Sequence, residues 1–216
     1  KASDAAFCVG GYVGYARNAY FYTAEIENLT VRSPGWAAGF AASEEYDQKA
    51  QDIPYVVNNC HVTGLDAKGV LSTGGLFAYL RVQADNAAKF NDVYVEDSVI
   101  QVMNTSGGSF NYSNNCIYAG GIVGAALNNY SLSMTGVSIS KTAVLCTSSK
   151  RYSGIGNFDA GGFVGRAETS LYFADCTLNG SVVLSGTALD NATAPTDYAT
   201  STADIRDAVY EKIKNA

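Results

Sequence analysis

Apolar residues in this chain fall into short blocks that recur in a fixed order. A glycine-rich apolar block occurs five times, as GGYVG (10–14), AGFAA (38–42), GGLFA (74–78), GGIVG (120–124) and GGFVG (161–165). Its second positions, Gly11, Gly39, Gly75, Gly121 and Gly162, are spaced unevenly. The repeat is therefore irregular in length but regular in content.

A second block follows each first one and reads small-or-polar, apolar, any, apolar. Its copies start at Asn28, Asn59, Asp92, Gly136 and Asp175. The period-2 alternation predicts a strand with one buried face, with Cys60 and Cys176 in register with Leu29, Val93 and Val137. A third apolar stretch closes most repeats, at Val70-Leu71, Val99-Ile100, Val144-Leu145 and Val182-Val183-Leu184, and the first repeat lacks one.

Three short strands per repeat, with Gly and Asn/Asp at the corners, predict an all-β fold: a right-handed parallel β-helix (β-solenoid) of about five irregular coils. A single coil cannot bury its inward face, whereas stacked coils place like residues over like at about 4.8 Å. Sandwich and propeller architectures compete less well, because a sandwich needs no repeated motif and propeller blades recur at a steadier period. Gly121 and Gly162 are expected at equivalent corners of neighbouring coils.

The solenoid domain is expected over residues 1–186 and a linker with a C-terminal helix over 187–216. Residues 202–214 place Ile205, Ala208, Val209 and Ile213 on one helical face, with Asp204 near the start and Lys212 and Lys214 near the end, as the helix dipole favours. Such a helix can cap the last coil or dock onto a neighbouring domain. No comparable segment precedes Gly10, so further coils of a larger parent protein, or a neighbouring subunit, are expected to meet the N-terminal end.

The repeats resemble the GLUG-motif family, in which GGxVG is followed by a polar spacer, an N-C-x-apolar-x-G strand and an apolar strand ending in Ser-Gly. The nearest copy is GGFVGRAETSLYFADCTLNGSVVLSG (161–186), and residues 59–64 (NCHVTG) echo its middle strand. The resemblance covers about residues 10–186, with AGFAA departing from the pattern. It implies repeat segments of large bacterial-type surface proteins and adhesins, in which the repeats are scaffold and carry no catalytic residues.

Composition narrows the function. Hydrophobic residues make up 47% and charged residues 16%, with 22 Gly, 15 Tyr and 9 Phe against 3 Pro, a balance that suits half-buried strands and tight corners. The net charge of -6 and the scatter of Lys and Arg disfavour a nucleic-acid partner. The longest apolar runs are far shorter than the ~20 residues that span a bilayer.

Six Asn-x-Ser/Thr acceptors, at Asn28, Asn104, Asn111, Asn129, Asn179 and Asn191, exceed the roughly two or three expected by chance and fit a glycosylated extracellular or cell-surface protein. Five cysteines show no CxxC spacing; most read as small buried apolar residues, with at least one thiol left unpaired within the chain.

Little in the chain carries chemistry. The single histidine, His61, is expected to face outward, without the partners that a triad or a zinc site needs. Glu44, Glu45 and Asp47 cluster in what reads as an acidic insertion of the second repeat; it is either a solvated loop, a carboxylate pair of a glycan-cleaving β-helix or a weak calcium site. Tyr12, Tyr15, Tyr20 and Tyr22 can stack on sugars or a partner, or simply pack along the coils. Nucleotide and nucleophile-elbow motifs are absent, and no cofactor is implied. The expectation is a non-enzymatic extracellular module, a stalk, adhesin segment or filament subunit, with a glycan or a host surface protein as its candidate partner. The alternative is a carbohydrate-active β-helix or a glycan-binding module.

Overall fold

The computed structural model describes residues 7–47, 55–83, 88–104, 117–127, 131–148 and 158–186. The first repeat forms β1 (Cys8–Gly10), β2 (Val13–Arg17), β3 (Phe21–Glu27) and β4 (Thr30–Arg32). The second forms β5 (Trp36–Ala38), β6 (Ala41–Asp47), β7 (Val56–Thr63) and β8 (Asp66–Gly69). The third forms β9 (Ser72–Gly74), β10 (Phe77–Gln83), β11 (Ala88–Glu96) and β12 (Val99–Asn104). The fourth forms β13 (Ile117–Gly120), β14 (Val123–Ala126), β15 (Leu132–Thr135), β16 (Ser138–Ser140) and β17 (Ala143–Ser148). The fifth forms β18 (Phe158–Gly161), β19 (Val164–Ala167), β20 (Leu171–Ala174), β21 (Thr177–Asn179) and β22 (Val182–Gly186).

Each repeat visits four parallel sheets in turn. Sheet A runs β1-β5-β9-β13-β18, sheet B runs β2-β6-β10-β14-β19, and sheet D runs β4-β8-β12-β17-β22. Sheet C has seven strands, because the third strand of the fourth and fifth repeats is split in two. Every pairing is parallel and joins neighbouring repeats, so the chain climbs the stack one rung per repeat. This is the stacked parallel architecture of a β-solenoid. The predicted helix at 202–214 lies outside the described residues.

Four strands per repeat replace the expected three, because the glycine block, at a corner as expected, divides a strand of sheet A from a strand of sheet B. Its residues end sheet A and begin sheet B, and the two sheets fold back on each other sharply. A Cβ added to Gly120 would meet the Val123 carbonyl oxygen at 1.9 Å, and one added to Gly124 would meet Ser72 Oγ at 2.3 Å. The middle glycines stack backbone on backbone: a Cβ on Gly121 would lie 2.0 Å from the Gly162 oxygen. The motif thus records a tight elbow that no side chain can enter. Beside it, Phe40, Leu76 and Ile122 turn inward one above another and are fully buried.

Two further corners are written in backbone conformation. Thr23, Asn59, Asp92, Gly136 and Asp175 all have positive φ, as do Asn28, Gly64, Asp97, Lys141 and Gly180. The pairing register stacks each set into one column. Positive φ suits Gly and, among other residues, Asn and Asp, which explains the polar residues that punctuate sheet C.

The same register corrects the reading of the first repeat. Cys60 pairs with Ala24 and Val93, so the first copy of the second block starts at Thr23, and Leu29 belongs to the next corner. The first repeat does have a closing strand, β4, whose Thr30 and Val31 pair with Asp66 and Ala67 of β8. The polar sequence of β8 hid its role, and Val70-Leu71 falls on the following corner. At the corner from sheet C to sheet D, Ser98 Oγ accepts from the Leu65 N–H at 3.1 Å and donates to the Glu96 carbonyl at 2.7 Å. Ser181 repeats both contacts with Thr142 and Asn179 at 3.1 Å.

The core is a set of apolar columns. Val62, Val95 and Ile139 form one and Val57, Phe90 and Met134 another, all buried to 1% exposure or less. Rings from sheets B and C meet within it, with Phe77 and Phe90 at 5.7 Å and Phe21 and Phe77 at 5.6 Å between centroids.

Candidate functional site

Most of the acidic and tyrosine residues singled out in the sequence converge on one place, the end of sheet B in the first two rungs. Glu44 and Glu45 lie in β6. They are therefore on a strand and not in a solvated insertion, and consecutive strand residues face opposite sides. Glu44 turns inward and is fully buried. Glu45 turns outward, in register between Arg17 and Arg81, where its Oε2 accepts from the Tyr15 hydroxyl at 2.9 Å. Asp47 ends the same strand.

Glu44 Oε1 accepts from the Ala19 N–H at 3.1 Å, and Oε2 is buried without a partner. Burial pushes this carboxyl up to about 7, against the pull of the Ala19 and Asn18 N–H groups; the Glu45 charge adds to the rise. A phenol cluster surrounds it. Tyr20 and Tyr46 share a hydrogen bond at 3.2 Å, and Tyr55 packs its ring 5.2 Å from that of Tyr46, its own hydroxyl buried and unpaired. Burial, and then the bond to Tyr20, raises Tyr46 to about 12; burial, and then the Glu44 charge, holds Tyr55 well above its usual range.

Sequence reasoning missed Tyr46 and Tyr55 as members of this cluster. The available signal was alternation: in β6, residues 44 and 46 share a face, so an inward Tyr46 forces Glu44 inward as well.

The remaining candidates are dispersed. Tyr22 points outward with 55% exposure and stacks on Tyr20 at 6.4 Å. Tyr12 is elsewhere: its ring lies edge-on to Phe40 at 5.1 Å, and its hydroxyl donates to the Glu25 carbonyl, so it lies across the first rung of the stack. His61 sits on sheet C, edge-to-face with Tyr94 at 4.8 Å. Asn28 and Asn179 are exposed acceptors, Asn104 ends β12, and Asn111, Asn129 and Asn191 lie outside the described residues.

Of the described cysteines, Cys60, Cys146 and Cys176 are free thiols. Cys60 and Cys146 are buried, and Cys176, on the last rung, is half-buried. Burial raises the pKa of Cys60 and, much further, that of Cys146, which keeps both in the unreactive thiol form.

The chemistry open to this site is narrow. A glycosidase needs two carboxyl groups on one side of a sugar-sized gap, about 5–10 Å apart. Glu44 and Glu45 are divided by their own strand, and Glu44 has no surface. Among the described residues, no three His, Cys, Asp or Glu side chains gather to hold a metal, and no helix is long and apolar enough to cross a membrane. No protein-family model matches the chain, and neither the curated proteins nor the solved structures give a match.

Proposed function

We propose that this chain is a right-handed β-helix of about five coils that serves as a non-enzymatic extracellular module, a stalk, adhesin segment or filament subunit. The observation that carries this reading is where its distinctive residues are used. The repeated glycines form the elbows and the repeated apolar residues fill columns. The acidic and phenolic side chains bond to one another or to the backbone, as in Tyr15 with Glu45 and Tyr12 with the Glu25 carbonyl. Nothing in that arrangement demands a substrate, and all of it stiffens a rod. The GLUG-like motifs, surface-protein elements by resemblance, and the exposed acceptors Asn28 and Asn179 agree with a cell-surface setting. Residues 202–214, if helical, would close or extend this module, and further coils or subunits would continue it.

A glycan-binding role is the second reading, favoured by one feature. Tyr15, on β2 beside the acidic strand, and Tyr22, on β3 stacked against Tyr20, are 54% and 55% exposed, which with Glu45 offers ring faces and a carboxylate to a sugar. A panel of polysaccharides incubated with the protein separates the readings. The module reading expects no reducing-sugar release. Release that is lost in Glu45→Gln would overturn it in favour of an enzyme, and binding without release that is lost in Tyr22→Ala would favour the glycan-binding module.

A further inference from the structure

We infer that the last rung of the solenoid is an assembly surface whose occupant is the first rung of a second copy of this chain, docked head to tail. The inference rests on the structural-module reading and names its partner.

The two ends differ from the middle in what they leave uncovered. Phe173 and Leu178 occupy inward columns, yet they are 49% and 46% exposed, whereas Met134 and Ile139, one rung earlier in the same columns, are fully buried. At the other end Phe7, Val9 and Tyr12 are 62%, 38% and 49% exposed. Among the described residues, the strands of the first and fifth repeats pair on one side only in every sheet, which leaves a parallel backbone edge on each of these two rungs. Such edges are templates for a further strand.

The first rung fits the position that a sixth rung would take. Followed along the columns, Phe21 falls over Phe173 and Ile26 over Leu178; the first-rung pair is itself only 8% exposed, and the half-exposed Tyr12 ring beside Phe21 is the apolar surface it turns to the junction. Arg17 falls over Glu168, a pair of opposite charges at the junction of a column that reads Arg17, Glu45, Arg81, Leu127 and Glu168, with Glu168 also paired to Arg166. The corners match as well, since Thr23 and Asn28 have the positive φ of Asp175 and of Gly180, the residues they would cover. A contact between unlike ends does not close on itself, so the product is an open filament.

Light scattering and sedimentation over a concentration series test this. Wild-type protein is expected to form a ladder of oligomers below about 1 mM. A variant blocked at the last rung (Phe173→Asp with Leu178→Asp) and one blocked at the first (Phe7→Asp with Val9→Asp) are each expected to be monomeric. Mixed one to one, they are expected to stop at a dimer joined through their intact ends. All four positions are more than a third exposed, so folding should survive, as an unchanged cooperative melt would confirm. If an acidic pair does not fold, the corresponding Ser pair replaces it.

A wild type that stays monomeric to about 1 mM overturns the proposal, as does polymerisation of either blocked variant. So does assembly that begins only when 187–216 is removed, since the occupant would then be the chain's own C-terminal segment. A monomeric wild type that releases no reducing sugar leaves the module reading standing, whereas sugar release strikes at that reading itself.

Discussion

A carboxyl group that faces the core of a solenoid is tolerated when it can stay neutral. Glu44 is such a group: it is fully buried, has one oxygen unpaired and has a pKa raised by burial to about 7. The folded state therefore holds a proton that the unfolded chain releases near its ordinary carboxyl range. By linkage, the contribution of Glu44 to stability is fullest below about pH 4.5, falls as pH rises to about 7 and is flat above that; the full swing is of order 3 kcal/mol. Glu44→Gln, neutral at every pH, is expected to remove that slope. The difference in unfolding free energy between wild type and variant, followed from pH 4.5 to 8 by denaturant titration, measures it, and a constant difference would refute the role. This role was not legible in the residue names. The run Glu44-Glu45 reads as a surface charge cluster, and only the pairing of β6 with β2 and β10 shows which of the two faces inward.

At the scale of elements, the glycine block was plain in the sequence, and so was its place at a corner. What was not legible is that the corner separates two strands on different sheets, which is why each repeat has four strands and not three. The two positive-φ columns were half legible. Asn, Asp and Gly mark most of their positions, but Thr23 does not look like a corner, so the first repeat was read five residues late, at Asn28. The elbow predicts an asymmetry between equivalent glycines. At Gly121 a Cβ would strike the Gly162 oxygen at 2.0 Å and Ile139 Cδ1 at 2.5 Å, whereas at Gly162 the nearest atom is the Leu178 side chain at 2.8 Å. A main-chain oxygen in a tight elbow yields less readily than the half-exposed leucine side chain on the last rung. Gly121→Ala is therefore expected to cost about 2–3 kcal/mol and lower the melting temperature by roughly 5–10 °C, with Gly162→Ala costing well under half of that. Equal melting shifts for the two variants would contradict the stacked elbow.

At the scale of the whole molecule, the backbone of each rung pairs only with its neighbours, so stability is close to a sum of rung terms and interface terms. The parallel repeat was legible from recurring blocks, whereas the ends were not, because a motif looks the same whether or not another coil covers it. The expectation of an open N-terminal end needs the refinement that the structure supplies. Phe21, Ile26 and Val31 on the first rung are only 3–8% exposed, with Tyr12 lying beside Phe21 at 6.3 Å, while Phe173 and Leu178 on the last rung are nearly half exposed. A rung that has lost half the burial of its core residues has lost much of the term that holds it to the stack. The gradient of opening free energy is therefore expected to be lopsided. Native-state hydrogen exchange should find the slowest amides in β7, β11 and β12, where both neighbours are present. Exchange in the first rung should be intermediate, and β20 to β22 should exchange by local fraying well below the global unfolding free energy. Assembly through the last rung would protect β20 to β22 as concentration rises while leaving the central rungs unchanged. Protection that is uniform along the stack at low concentration would show instead that the rungs open as a single unit and that the last rung is held by contacts beyond its own core columns.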